Sequence, residues 1–287
     1  MKFVDVKNDV AFRKIFGNEK KKIILISFLN AVLDLHDKLR INDITFVNPF
    51  QLPRIAGEKA TIIDVKATDG NGSTFIVEMQ VAEPEGLDKL ALYYSSKDYA
   101  SQINSGDDYP KLRPVYFIGI LNFKYFSTKS FFSKHLIIEE STGECFLKDL
   151  QFRFIELPKF KKKANELKSI IEKWTFFIKN ARNLDLIPDD VDDEGLKEAY
   201  NEAAEFSWTD KEYDAYIYAG MREQDAKGII SLAEKRASEK ALEKGIEIGI
   251  EEVAINMLKQ GMDIELVSKF TNFSIARIKE LKSNLKN

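Results

Sequence analysis

Residues 60–82 read ATIIDVKATDGNGSTFIVEMQVA, and this stretch decides the fold. Two arms rich in β-branched residues, 60–69 and 73–82, flank Gly70-Asn71-Gly72, which predicts a β-hairpin. On the first arm Ile63 and Val65 alternate with Asp64 and Lys66. On the second, Phe75, Val77, Met79 and Val81 alternate with Thr74, Glu78 and Gln80. The apolar set is expected to face the core. A carboxylate held mid-strand among such residues is costly unless it is solvated, paired or ligated.

Loop length decides where the two acids go. A two-residue loop at Gly70-Asn71 pairs Asp64 with Val77 and sends Glu78 to the opposite face. A three-residue loop pairs Asp69 with Ser73 and sets Asp64 opposite Glu78, with Cβ atoms about 5 Å apart. The glycines favour a loop with a left-handed residue, so the odd length is expected. Two carboxylates at that separation repel unless a divalent cation lies between them. Mg²⁺ or another divalent ion suits oxygen ligands, with the Met79 carbonyl as a third. Such an ion would activate water and stabilise charge on a phosphoryl oxygen. Gln80 shares the face of Glu78 and can orient a water or a phosphate. Lys66 shares the face of Asp64, either as a neutralising cation or as a solvated lysine.

Working outward, residues 7–35 read as two helices broken at Gly17-Asn18, with Asn8 or Asp9 as the cap. Strands are expected at 44–50, 113–123, 135–141 and 152–157, and a helix at 87–104. Beyond residue 160 the pattern is helical: 166–180, 195–206, 211–225, a long Lys- and Glu-rich helix from about 225, and two short helices with Ser274 capping the second. Gly245 and Gly249 weaken the long helix. The order of elements predicts a mixed α/β core with a helical C-terminal extension rather than a doubly wound sheet. The expected organisation is a core at 1–160, a helical extension packed on it at 161–225, and a tail at 226–287 that is helix-turn-helix-like or oligomerising.

Composition narrows the chemistry. The chain has 287 residues, 44% hydrophobic and 11% aromatic, enough for a packed core. A single cysteine, Cys145, excludes an internal disulfide and a Cys-based zinc site, as suits a reducing compartment. The two histidines, His36 and His135, lack partners at metal-ligand spacing, so carboxylates are the natural ligands. No signal peptide and no membrane-length apolar run is read, and a cytoplasmic protein is expected. A net charge of −3 does not suggest a general polyanion binder. The run KFKKK at 159–163 is a solvated face or a phosphate contact. In the tail, Arg277, Lys279 and Lys282 lie on a helix of a kind that can enter a major groove; a small helical dimerisation unit is the alternative.

The pattern IIDVKATDGNGSTFIVEMQ resembles the Asp…Glu-x-Gln variant of the PD-(D/E)XK nuclease superfamily. More narrowly, NDVAFRKIFG with ISFLNAVL, and YYSSKDYASQINSGDDYPKLRPVYFIGILNF, resemble the Rpn family of recombination-promoting nucleases, also described as PD-(D/E)XK nuclease family transposases. The resemblance covers residues 5–160 well and the remainder loosely. It implies a restriction-endonuclease-like fold, divalent-metal cleavage of DNA and a link to recombination. Carried over by position, Asp64 and Glu78 are metal ligands and Gln80 stands where a lysine is usual. The family pattern places an arginine where this chain has Leu90; Lys89 beside it is a point charge without the guanidinium fork. Lys66, Lys89, Gln102, Arg277 and Lys279 are the candidate DNA contacts. Two other readings remain at this point. One is a non-catalytic DNA-binding or assembly protein on the same fold, self-associating through its C-terminal helices. The other is a transposase that joins DNA strands.

Overall fold

A computed structural model describes residues 2–51 and 61–285 of the chain. Ala60, the first residue of the expected hairpin arm, lies outside them. The chain divides into two compact units, 1–220 and 221–287.

The first unit opens with α1 (Asp9–Phe16) and α2 (Lys22–Leu33). Asn8 caps α1 by accepting from the backbone N–H groups of Val10 and Ala11, so the cap is Asn8 and Asp9 is the first helical residue. The strands are β1 (Ile44–Phe46), β2 (Phe50–Gln51), β3 (Thr61–Ile62), β4 (Val65–Asp69) and β5 (Thr74–Gln80). Then come α3 (Leu87–Ser101), β6 (Val115–Leu121), β7 (Phe132–His135) and β8 (Leu150–Glu156). The six-stranded sheet has the order β1-β4-β5-β6-β8-β7. Its β1-β4-β5 side and the β7-β8 edge are antiparallel, whereas β5, β6 and β8 run parallel, with α3 as the crossover from β5 to β6. This is the mixed α/β sheet expected of a PD-(D/E)XK-like core.

Both faces of the sheet are covered. On one, Val65, Val77, Met79, Ile118 and Ile155 pack with Phe12, Phe16 and Phe28. The same core takes in Trp174 and Phe177 from α4 (Ile170–Asn180) and Tyr200 from α5 (Glu194–Ala203). Helices beyond residue 160 therefore supply central side chains of this unit. On the other face Ile63, Ile76, Phe117 and Phe154 pack beneath Leu87 and Ala91 of α3. The polar positions within the paired strands, Lys66, Thr74 and Glu78, accordingly lie on the face that α3 covers.

Three expectations change. Ile63, expected on the face of Val65, packs in the α3-side core instead, because the chain leaves the ladder between them. The strand expected at 135–141 is β7 at Phe132–His135, paired with Phe152–Ile155 of β8, and Leu136, Ile137 and Ile138 are exposed. The helices expected at 211–225 and from 225 onward are one helix, α6 (Asp210–Lys259), unbroken at Gly245 and Gly249. In the second unit α6 ends before Gly261, whose φ of +84° belongs to the left-handed region. There α7 (Ile264–Thr271) and α8 (Ile275–Asn284) follow, and Ala254, Leu258, Val267, Ile278 and Leu281 form a small core. Ser274 caps α8 through the backbone N–H of Arg277. Among the described residues no helix is long and apolar enough to cross a membrane.

Candidate active site

The hairpin has the register that the odd loop predicts. Val65 pairs with Val77 and Thr68 with Thr74, and the N–H of Asp69 donates to the Ser73 carbonyl at 3.1 Å. Asp69 builds the loop. Its carboxylate accepts from the N–H groups of Asn71 and Ser73 at 3.0 and 2.8 Å, and its carbonyl accepts from Gly72. Gly72 takes φ +83°, which an L side chain rarely adopts. Continuing this register brings Asp64, just before the start of β4, opposite Glu78.

Asp64 sits where the ladder stops. The hydrogen-bonded pairs alternate from Asp69–Ser73, so the next beyond Val65–Val77 would be Ile63–Met79. Instead the N–H of Ile63 donates to the Pro49 carbonyl at 3.1 Å, the ladder ends at Val65–Val77, and the Met79 N–H is without the Ile63 carbonyl as its acceptor. The Asp64 carboxylate replaces it: Oδ2 accepts from the Met79 N–H at 2.9 Å. In return the N–H of Asp64 donates to Glu78 Oε1 at 3.1 Å. Glu78 Oε2 accepts from Gln80 Nε2 at 2.9 Å. The three residues expected to act together are thus joined by one set of hydrogen bonds.

The electrostatics are unbalanced. Glu78 is 4% exposed, and burial, followed by the charge of Asp64, pushes its pKa up to about 8. The Asp64 N–H, the Gln80 amide and Arg13 pull it down without cancelling that push. Tyr94 of α3 feels the same charges: burial first, then Glu78 and Asp64, raise its pKa. A buried acid pair with more negative charge than its surroundings can solvate is a setting that a hard divalent cation would relieve. Among the described residues no group of three or more His, Cys, Asp and Glu side chains gathers for a metal, so a third protein ligand would have to be of another kind.

One functional candidate was missed in the sequence. Arg13, on α1, donates to Asp64 Oδ1 from Nη2 at 2.8 Å and from Nε at 3.2 Å. Nothing local marks it: it is a helix-surface arginine whose partner lies 51 residues away. A cavity of about 350 Å³ opens beside the pair, lined by Arg13, Glu19, residues 46–49, Asp64 and Lys66 among others.

The remaining candidates fall elsewhere. Lys66 forms an ion pair with Asp98 of α3, whose side chain is 3% exposed. Gln102 is engaged with the Arg113 backbone, accepting from its N–H at 2.7 Å and donating to its carbonyl at 3.1 Å. Lys89 is exposed in the first turn of α3. In the KFKKK run, Lys159 pairs with Glu156 and Lys162 with Glu172. Arg277 and Lys279 lie in the second unit, where Arg277 pairs with Glu251 and Glu280 and Lys279 is exposed.

Compared with known families, residues 6–233 match the model of the PD-(D/E)XK nuclease family transposases, well over half of the chain. The chain belongs to that family. Membership in this PD-(D/E)XK family supports a nuclease- or transposase-like function and agrees with the mixed sheet described above. No curated protein and no solved structure matches the chain.

Proposed function

We propose that this PD-(D/E)XK family member is a divalent-cation-dependent DNA endonuclease that hydrolyses phosphodiester bonds, in the service of recombination or mobile elements. The observation that carries the reading is the burial of Glu78 against Asp64 at the end of the β4–β5 ladder. Structural ion pairs are rarely built from two acids, and functional sites often are.

Asp64, Glu78 and the Met79 carbonyl are the groups that would hold Mg²⁺ or a similar ion. Within an extended strand a residue's N–H and C=O leave by the same edge, so the Met79 carbonyl heads toward the Asp64 segment, as its N–H does. The bound ion would supply charge stabilisation at a phosphoryl oxygen and make water a better nucleophile. The chain's own residues do the positioning. The Met79 N–H fixes Asp64, the Asp64 N–H fixes Glu78, and both carboxylates hold their orientation before a ligand arrives. Gln80 steadies Glu78 through Nε2 and keeps its amide oxygen to accept from a water; with no titratable proton, it orients rather than protonates.

A plasmid-nicking assay with Mg²⁺ or Mn²⁺ tests this. Nicking by the wild type that disappears in Asp64→Ala and Glu78→Gln supports the endonuclease; nicking unchanged in Asp64→Ala refutes it. A second reading is favoured by Gln80 standing on Glu78 where the family's usual lysine would be. In that reading the chain binds DNA without efficient cleavage. DNA binding with no nicking under either cation selects it. Joining of DNA ends in a strand-transfer assay would instead make the enzyme a transposase in the full sense.

A further inference from the structure

Arg13 touches the acid pair, Lys66 lies two residues from Asp64 and Lys14 adjoins Arg13, and these three basic side chains are not equivalent. Lys66 is committed to Asp98 beneath α3. Lys14, next to Arg13 on α1, is committed to Glu212 at 2.6 Å and Glu202 at 3.4 Å. Both lysines hold acids outside the pair. Among these three, Arg13 alone is paired with a carboxylate that a cation would claim.

The form of that pairing is unusual for arginine. A guanidinium facing a carboxylate commonly takes both oxygens in a fork. Here Nε and Nη2 both go to Oδ1, while Oδ2 accepts from the Met79 N–H. Two of the guanidinium's five N–H donors are spent on Asp64, and its side chain is 49% exposed. Its backbone, by contrast, is fixed. Phe12, Ile15 and Phe16 of the same helix are at most 1% exposed, so the arm swings from an immobile base. Arg13 also lines two cavities, the one beside Asp64 and another of about 550 Å³ with Lys14, Asn18 and Lys211. There is space for the arm to leave Asp64 without disturbing the core.

We propose that Arg13 is a phosphate-binding residue held in reserve: its guanidinium neutralises Asp64 until a divalent cation takes that carboxylate, and then turns to a DNA phosphate in the cavity beside the acid pair. This deepens the endonuclease reading and rests on it. The charges support the exchange. A divalent ion satisfies Asp64 better than one half-exposed guanidinium does, and the freed fork matches a phosphate's paired oxygens. The arm therefore couples cation loading to substrate capture: the guanidinium is offered to DNA when the cation is present.

Full-length wild type, Arg13→Ala and Arg13→Lys test this with two binding readouts. The first is Mn²⁺ uptake without DNA, followed by the electron paramagnetic resonance signal of free Mn²⁺. The second is anisotropy of a fluorescein-labelled duplex in Ca²⁺ across a salt series. Arg13→Ala should bind Mn²⁺ roughly two- to fivefold more tightly, since a competing surface ion pair is gone. It should bind DNA about tenfold or more weakly, as expected for a lost charged hydrogen bond. Its slope of log affinity against log salt should be shallower by about one. Arg13→Lys should recover the slope but only part of the affinity. Unchanged DNA affinity and slope in Arg13→Ala, with wild-type Mn²⁺ uptake intact, would overturn the assignment and leave the endonuclease reading standing. So would weaker Mn²⁺ uptake together with a lowered melting temperature, the mark of a purely structural clamp. A wild-type chain that takes up no Mn²⁺ overturns both.

Discussion

Replacing Glu78 with glutamine should stabilise the cation-free protein, and more so as pH rises. In the folded chain Glu78 holds its proton up to about 8, against 4.5 for the free side chain, because burial and Asp64 disfavour the charge. Between those values the folded state binds a proton that the unfolded state has released, so unfolding free energy falls as pH increases. The stability from this group is complete below 4.5 and is lost progressively up to about 8. At pH 7 the loss is roughly 3 kcal/mol from these two values. Glutamine carries no such penalty. It keeps an acceptor for the Asp64 N–H but puts an amide where Gln80 donates, a loss of about 1 kcal/mol. A net gain of about 2 kcal/mol should raise the melting temperature by roughly 4–8 °C for a unit of this size. At pH 5 the two terms nearly cancel and the proteins should melt together. The two tryptophans, Trp174 and Trp208, are both buried in the first unit, so their fluorescence follows the right transition. Runs in EDTA at pH 5, 7 and 9 give the profile. Adding Mn²⁺ should reverse the order, because only the wild type gains about 3 kcal/mol at a hundredfold excess over its dissociation constant. If Glu78→Gln never melts above the wild type at pH 9 without cation, Glu78 is not a strained acid, and the argument for the site loses its main support.

Other perturbations test the parts around the pair. Lys66→Ala leaves Asp98 buried and unpaired and should cost about 3–5 kcal/mol in urea unfolding; a loss below about 1 kcal/mol would mean that Asp98 is hydrated. Gly119→Ala puts a Cβ 2.7 Å from Phe154 Cδ1 in the α3-side core and should cost about 1–3 kcal/mol by the same measurement, with no loss meaning that the ring has room to turn. Gly72→Ala forces φ +83° on an L residue and brings its Cβ 3.1 Å from Arg113 Cγ, so a loss of about 1–2 kcal/mol is expected. An unaffected melting temperature would show that the loop has another conformation open to it.

The hairpin was legible because its information is local. Alternation gives the faces from Val65 onward though not at Ile63, Gly72 gives the left-handed residue, and together they set Asp64 opposite Glu78. The α3 helix and the Ser274 cap were legible for the same reason. What escaped the sequence depends on partners far along the chain. Leu136, Ile137 and Ile138 look like a strand by composition, yet β8 offers its pairing edge to Phe132–His135, so the apolar run is left outside the ladder. Glycines at 245 and 249 weaken a helix without ending it, and the uniform α6 could not be told from two shorter ones by propensity. The role of Lys66 was open until α3 laid Asp98 over β4. Arg13 carried no signal, because a solvent-side arginine on an amphipathic helix is ordinary until the fold brings Asp64 to it.

The acid pair owes its character to a strand that stops one residue early. Had β4 continued through Ile63, the Met79 N–H would have found a backbone partner and Asp64 would have needed none of it. Because Ile63 turns to Pro49, Met79 is left with a donor that Asp64 alone satisfies, and the Asp64 N–H is left to hold Glu78. Each carboxylate is thereby tied to the main chain of the other strand, so neither can rotate away to relieve the repulsion between them. Alternation alone places two acids on one face, where they would be free to diverge into solvent. The broken ladder and the cover of α3 hold them together, so burial and that enforced proximity raise Glu78, and a proton on Glu78, Arg13 or a cation balances the charge.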